Sequence, residues 1–197
     1  MHNKSVAILG KGPSVKRCTK DFIDLFDLVV VCGRPVFDGY EAYIGERAHY
    51  DYSNRTSTSY TTEQKSKLGI RKWVDTGSGT DIREKFKFKD LDPSTGILAF
   101  HDFVTDIEYK EIALIGFDLL QTDEKMYYFK NKEFDPALNW LWKDGTYDED
   151  GKLTITSGHN TERTYEYIMT MIDLHPEKRF YVFSSYDFTE RKNLIMK

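Results

Sequence analysis

The chain opens with an apolar run, Ser5-Val-Ala-Ile-Leu9, that stops at Gly10-Lys-Gly-Pro-Ser14 and passes directly into a stretch with helical spacing. Strand, glycine turn and helix in that order constrain the fold more than any other feature of the sequence. Val15, Cys18, Phe22 and Leu25 or Phe26 recur on one face of Val15 to Phe26. A second apolar run, Leu28-Val-Val-Val-Cys32, follows and breaks at Gly33-Arg-Pro. Strands apolar on both faces and joined through a helix pair in parallel, so the opening reads as a βαβ unit.

From about Gly39 to Asp92 the pattern weakens. Ser53 to Thr62 is almost entirely hydroxyl-bearing or polar, and Thr76-Gly-Ser-Gly-Thr80 reads as a flexible loop. Periodicity returns after Asp92-Pro-Ser-Thr-Gly96, where Ser94 or Thr95 caps a helix with Ile97, Phe100, Val104 and Ile107 on one face. Glu111 to Gly116 is a further buried parallel strand, ending at Gly116-Phe-Asp118. Asn160 or Thr161 caps a helix through Leu174, stopped by His175-Pro176. Arg179-Phe-Tyr-Val-Phe183 is the last strand, closed by Ser184-Ser185 and followed by a short terminal helix. Between Leu119 and Leu153 aromatic and charged residues lack a period, which suits a lid or an acceptor-binding segment.

These elements predict one α/β domain over residues 1–197: a Rossmann-like, mostly parallel sheet with helices on both faces and a small aromatic-rich lid at about 119–153. With 28 basic and 32 acidic residues the net charge is −4, so no overall field draws in nucleic acid or anionic lipid. The longest apolar run is too short for a membrane span, and the expected location is the cytoplasm. Cys18 and Cys32 have neither metal-ligand nor redox spacing and read as reduced packing residues. The sequence leaves homo-oligomerisation open.

A glycine turn between a strand and a helix is where backbone N–H groups and the helix dipole favour a phosphate. A dinucleotide fingerprint would need a third glycine at position 15, which is Val15, and an acidic residue ending the second strand, where Cys32-Gly33 stands. The Lys-Ser/Thr of a P-loop is also missing. The expected ligand is therefore a nucleotide or nucleotide-sugar other than NAD. Asp148-Glu-Asp150 has the spacing of a metal-holding D-x-D, but its hydrophilic, turn-rich surroundings read as a solvated hairpin tip. His49, His101 and His175 form no pair with metal spacing, so neither metal nor other cofactor is expected.

Gly10-Lys-Gly-Pro-Ser14 resembles the G-x-G-P-S start of bacterial sialyltransferases of glycosyltransferase family 42. Three blocks agree in order: Ser94-Thr-Gly96 is similar to that family's T-S-G segment, Tyr109 to Asp118 to its Y-K-E-I-Y-L-x-G-I-D strand, and Gly158-His-Asn160 to its G-H-S helix start. The resemblance implies an inverting, metal-independent transferase taking a CMP-activated, sialic-acid-like donor to a glycan or other hydroxyl acceptor, with His159 as general base. It places donor contacts on Gly10, Lys11, Gly12, Pro13, Ser14, Gly33, Asn54, Ser94, Thr95, Gly96 and Asp118, and a phosphate-binding tyrosine on Tyr127 or Tyr128. Gly33 stands where the family has asparagine, Lys11 replaces another asparagine, and Leu120 falls where a first tyrosine is found. The alternatives are a non-catalytic nucleotide-binding protein of the same fold and a Rossmann-type oxidoreductase.

Overall fold

A computed structural model describes residues 3–54, 60–88, 91–119, 146–147, 153–154 and 161–197. The strands are Lys4–Leu9 (β1), Leu28–Cys32 (β2), Tyr50–Ser53 (β3), Lys72–Asp75 (β4), Tyr109–Ile115 (β5), Thr146–Tyr147 (β6), Leu153–Thr154 (β7), Arg179–Phe183 (β8) and Leu194–Met196 (β9). All five residues of β2 and the last four of β1 and β5 are buried, as expected of interior strands covered on both faces. Seven strands make one sheet in the order β4-β3-β2-β1-β5-β8-β9, and every neighbouring pair is parallel. β6 and β7 form a separate antiparallel pair.

Starting at β1, the chain adds strands outward to β4, then returns to lay β5 on the other side of β1. Crossovers between parallel strands keep one hand, so this reversal moves later helices to the opposite face. The two apolar layers follow that rule. A 3-10 turn, Pro13–Arg17, and helices Lys20–Asp24 (α1), Glu41–Ile44 (α2) and Thr62–Leu68 (α3) pack over Ala7, Leu9, Val29 and Val31. Asp81–Lys85 (α4), Thr95–Thr105 (α5) and Thr161–Leu174 (α6) lie with Val6, Ile8, Val30 and Ile112. The protein is thus an α/β domain of Rossmann-like build, with a parallel sheet between two helical layers.

Three expectations change. The helix read through Val15 to Phe26 is broken at Cys18 and Thr19, whose backbone is extended; the Thr19 hydroxyl then caps α1 by accepting from Phe22 N. The C-terminal segment is strand rather than helix, since Phe180 N donates to Asn193 O and β9 extends the sheet. Asp106 is extended, so α5 ends at Thr105 and leaves Ile107 82% exposed instead of on the apolar face. Both cysteines are free and buried, and burial pushes the Cys18 thiol up to about 12. Most of the expected lid lies outside the described residues. Among the described residues no helix is long and apolar enough to cross a membrane.

Candidate functional site

β1 and β5 lie side by side at the point where the strand order reverses, and the crevice outside their carboxyl ends is where open parallel sheets bind ligands. The loops leaving these strands are laced together. Gly10 N donates to Ile115 O at 2.7 Å, Gly12 N to Gly116 O at 3.0 Å and Ser14 N to Asp118 Oδ2 at 2.9 Å. A Cβ on Gly10 would lie 2.6 Å from Gly116 O, and one on Gly12 would lie 2.1 Å from Asp118 Oδ2. Close approach of two backbones therefore demands both glycines. Buried Asp118 also accepts from Ser185 N at 2.5 Å and Ser185 Oγ at 2.9 Å. Ser14 Oγ donates to Phe183 O and Ser184 Oγ to Phe117 O, which ties in the loop after β8.

This lacing revises how the glycine turn can meet an anion. The amides of Gly10, Gly12 and Ser14 serve the protein's own fold, Val15 N donates to Gly12 O, and Pro13 has no N–H. Behind the turn stands a five-residue 3-10 turn, with no long helix dipole aimed at the crevice. A phosphate here would have to be met by other groups.

Those groups sit on neighbouring loops, and contacts between them run continuously around the carboxyl edge. Lys11 reaches from the β1 loop to the β2 loop, its Nζ 3.2 Å from where a Gly33 Cβ would be. Gly12 abuts Asp118, and Gly96 abuts the Phe117 ring, 3.1 Å from its own missing Cβ. Thr95 Oγ1 and buried Thr76 Oγ1 are 3.1 Å apart, while Asn54 Oδ1 is 3.2 Å from the Cβ position of Gly77. Ser94 Oγ accepts from Ile97 N and caps α5. Arg83 braces this side, donating to Thr76 O, Pro93 O and the Asp92 carboxylate. The sequence-predicted residues Gly10, Lys11, Gly12, Pro13, Ser14, Gly33, Asn54, Ser94, Thr95, Gly96 and Asp118 thus all lie on loops or first helical turns at one end of the sheet. Thr161, the first residue of α6, donates from Oγ1 to Leu119 O at 2.8 Å. His159, Tyr127, Tyr128, Leu120 and Asp148-Glu-Asp150 lie outside the described residues.

Of the described histidines, His175 lies 3.4 Å from Glu177 Oε1 at the surface and the other two are held within the fold. His49 Nδ1 accepts from Val29 N, and His101 Nδ1 meets the Tyr167 hydroxyl beside the Phe86 ring; burial lowers both imidazole pKa values. Among the described residues no group of three His, Cys, Asp or Glu is placed to hold a metal ion.

Sequence reasoning missed Asp51, although an acid inside the strand Tyr50-Asp-Tyr-Ser was the available signal. Its carboxylate is fully buried under α3, among the described residues neither oxygen has a partner in full hydrogen-bond geometry, and Lys65 Nζ stands 3.9 Å away. Burial pushes the Asp51 carboxyl up, opposed by Ser53, Lys65, the Tyr60 backbone and Arg34. A raised carboxyl pKa favours the protonated folded state, so this contribution is present below 3.8 and disappears as pH rises through the folded value. Asp51→Asn is therefore expected to stabilise the protein at neutral pH, with the gain shrinking as pH falls towards 3.8. Urea denaturation across that range checks it, and a variant less stable than the parent at pH 7 would show the carboxylate to be well paired.

Fold and loops together define a doubly wound α/β domain whose β1 and β5 loops meet at the switch point of the strand order. Comparison with protein-family models, with curated proteins and with solved structures returns no match.

Proposed function

We propose that the protein is an inverting, metal-independent glycosyltransferase that moves a sialic-acid-like sugar from a CMP-activated donor to an acceptor hydroxyl. The observation that carries the reading is the convergence of four separated segments, Gly10–Ser14, Gly33, Asn54 and Ser94–Gly96, on the carboxyl edge beside Asp118. Of these, Gly10–Ser14 and Ser94–Gly96 resemble donor-binding blocks in sequence, while Gly33 stands where the resembled family has asparagine. In the proposed reaction the acceptor oxygen attacks the anomeric carbon from the face opposite the phosphate. His159 takes the acceptor proton, and the bond to the phosphate oxygen breaks with its electron pair leaving on CMP. A neutral imidazole titrating near pH 6.5 suits that proton transfer. Tyr127 or Tyr128 would donate its phenol to the departing phosphate.

Release of CMP from a CMP-sugar tests the reading, and it is expected to persist in excess EDTA. Activity lost on chelation and restored by Mg²⁺ or Mn²⁺ would move the chemistry to a metal-dependent mechanism and give Asp148-Glu-Asp150 a role. Tight CMP binding without CMP release, with any acceptor offered, would leave a nucleotide-binding protein. Selective stabilisation by NAD would favour an oxidoreductase.

A further inference from the structure

We infer that Lys11 and Arg34 form a two-cation clamp for the phosphate of the bound nucleotide, an inference that rests on reading the carboxyl edge as a nucleotide site. Doubly wound folds ordinarily hold phosphate on the backbone amides of the first glycine turn and the helix behind it. Here the amides of Gly10, Gly12 and Ser14 donate to Ile115, Gly116 and Asp118, and only a short 3-10 turn follows. The β1 turn amides are thus spent on the fold, and two cations are carried by the loops that follow β1 and β2.

Lys11 is aimed across the edge by the shape of Gly33. Gly33 has φ +65°, a conformation side-chain-bearing residues seldom adopt, and its missing Cβ leaves the space in which Lys11 Nζ and Cε lie at 3.2 and 3.5 Å. Any larger residue at 33 would be strained and would push the ammonium away. Lys11 is close enough to act on the neighbouring strand end: burial raises the Cys32 thiol, and Lys11 pulls it partway back.

Arg34 is held in the same left-handed region, with φ +58°, although it carries a side chain. The flanks lock it there, since Gly33 N donates to Tyr52 O at 2.9 Å and the Tyr60 hydroxyl to Pro35 O at 2.5 Å. Strain of this kind persists where the surrounding structure over-determines it, and such positions cluster at ligand clamps. Among the described residues the Arg34 guanidinium makes one long hydrogen bond, to Gln64 Oε1 at 3.4 Å, and no ion pair. The carboxylate that feels its charge, Asp51, already faces Lys65.

A two-cation clamp has a chemical use in the proposed transfer. The phosphodiester of a CMP-sugar carries one negative charge, and breaking the glycosidic bond leaves a second on the CMP phosphate. Cations fixed beside it bind the leaving group more tightly than the intact donor, which lowers the barrier.

Calorimetric titration of CMP and of cytidine into the parent, Lys11→Met and Arg34→Gln proteins tests the clamp, with melting temperatures recorded to confirm folding. Each substitution is expected to weaken CMP by about 10- to 100-fold, the usual worth of a hydrogen bond to a charged group, and to leave cytidine affinity unchanged. The salt dependence of CMP binding should fall in both, and Lys11→Arg should retain most of the parent affinity. CMP affinities within about twofold of the parent in both variants would overturn the clamp and leave the nucleotide reading standing. Equal weakening of CMP and cytidine would also overturn it, by showing that the side chains only support the fold. A parent protein that binds neither CMP nor cytidine would remove the nucleotide reading, and the clamp with it.

Discussion

Replacing His159 with alanine is expected to lower turnover by about 10²- to 10⁴-fold, the range spanned by loss of a general base, while CMP affinity changes little. In the proposed transfer the base acts on the acceptor proton in the transition state and makes no demand on the bound nucleotide, so the loss should appear in kcat and kcat/KM together. The pH profile gives a second signature. Imidazole must be neutral to accept the proton, so kcat/KM should fall as pH drops below its pKa, and this acid limb should be missing in the variant. Tyr127→Phe or Tyr128→Phe should differ by weakening donor binding as well as turnover, because a phenol on the phosphate is engaged before the reaction begins. A His159→Ala protein with parental turnover would take the chemistry away from this residue.

Asp118→Ala is expected to produce the largest loss of stability at the site. The carboxylate is buried, and its removal leaves Ser14 N, Ser185 N and Ser185 Oγ without an acceptor where three loops meet. Ser14 is buried while Ser185 is exposed, so the orphaned Ser14 N costs about 1–3 kcal/mol, water takes over the Ser185 donors, and the total should reach about 2–3 kcal/mol. In a chain of 197 residues that corresponds to a fall in Tm of about 4–12 °C. Ser185→Ala removes one of the three donors together with its side of the bond and should cost about 1 kcal/mol. Urea denaturation at pH 7 measures both. An Asp118→Ala protein within about 1 kcal/mol of the parent would mean that the loops after β1, β5 and β8 do not depend on this carboxylate.

Elements with an unbroken apolar run or a strong cap were legible from sequence. β2 and the last four residues of β1 and β5 are buried, as are Phe180, Val182 and Phe183 of β8; Ser94 caps α5, and α6 spans Thr161–Leu174 as its apolar spacing implied. β3 and β4 are four residues long and carry Asp51, Ser53, Lys72 and Asp75, so neither alternation nor a continuous run marks them. Thr19 looks like a helical position by spacing, yet its hydroxyl competes as a cap and divides the helix. The last three-residue strand follows Arg191-Lys-Asn193, a charged segment whose pairing is decided by the open edge of β8.

For the site, sequence located the glycines but not their purpose. Gly10 and Gly12 look like a phosphate turn when read locally. The partners that demand them, Gly116 and Asp118, lie about a hundred residues further on, Ser14 and Asp118 being separated by 104. Arg34 had no local signal, because a left-handed arginine after a glycine is visible only once the backbone is traced.

Crystals grown with CMP test the central claim most directly, since they report where the ligand sits as well as whether it binds. The account predicts the nucleotide in the crevice outside β1 and β5, bounded by Gly10–Ser14, Gly33, Asn54 and Ser94–Gly96, with its phosphate against Lys11 and Arg34. CMP bound elsewhere on the domain, or a crevice that stays empty at saturating CMP while accepting NAD, would contradict it.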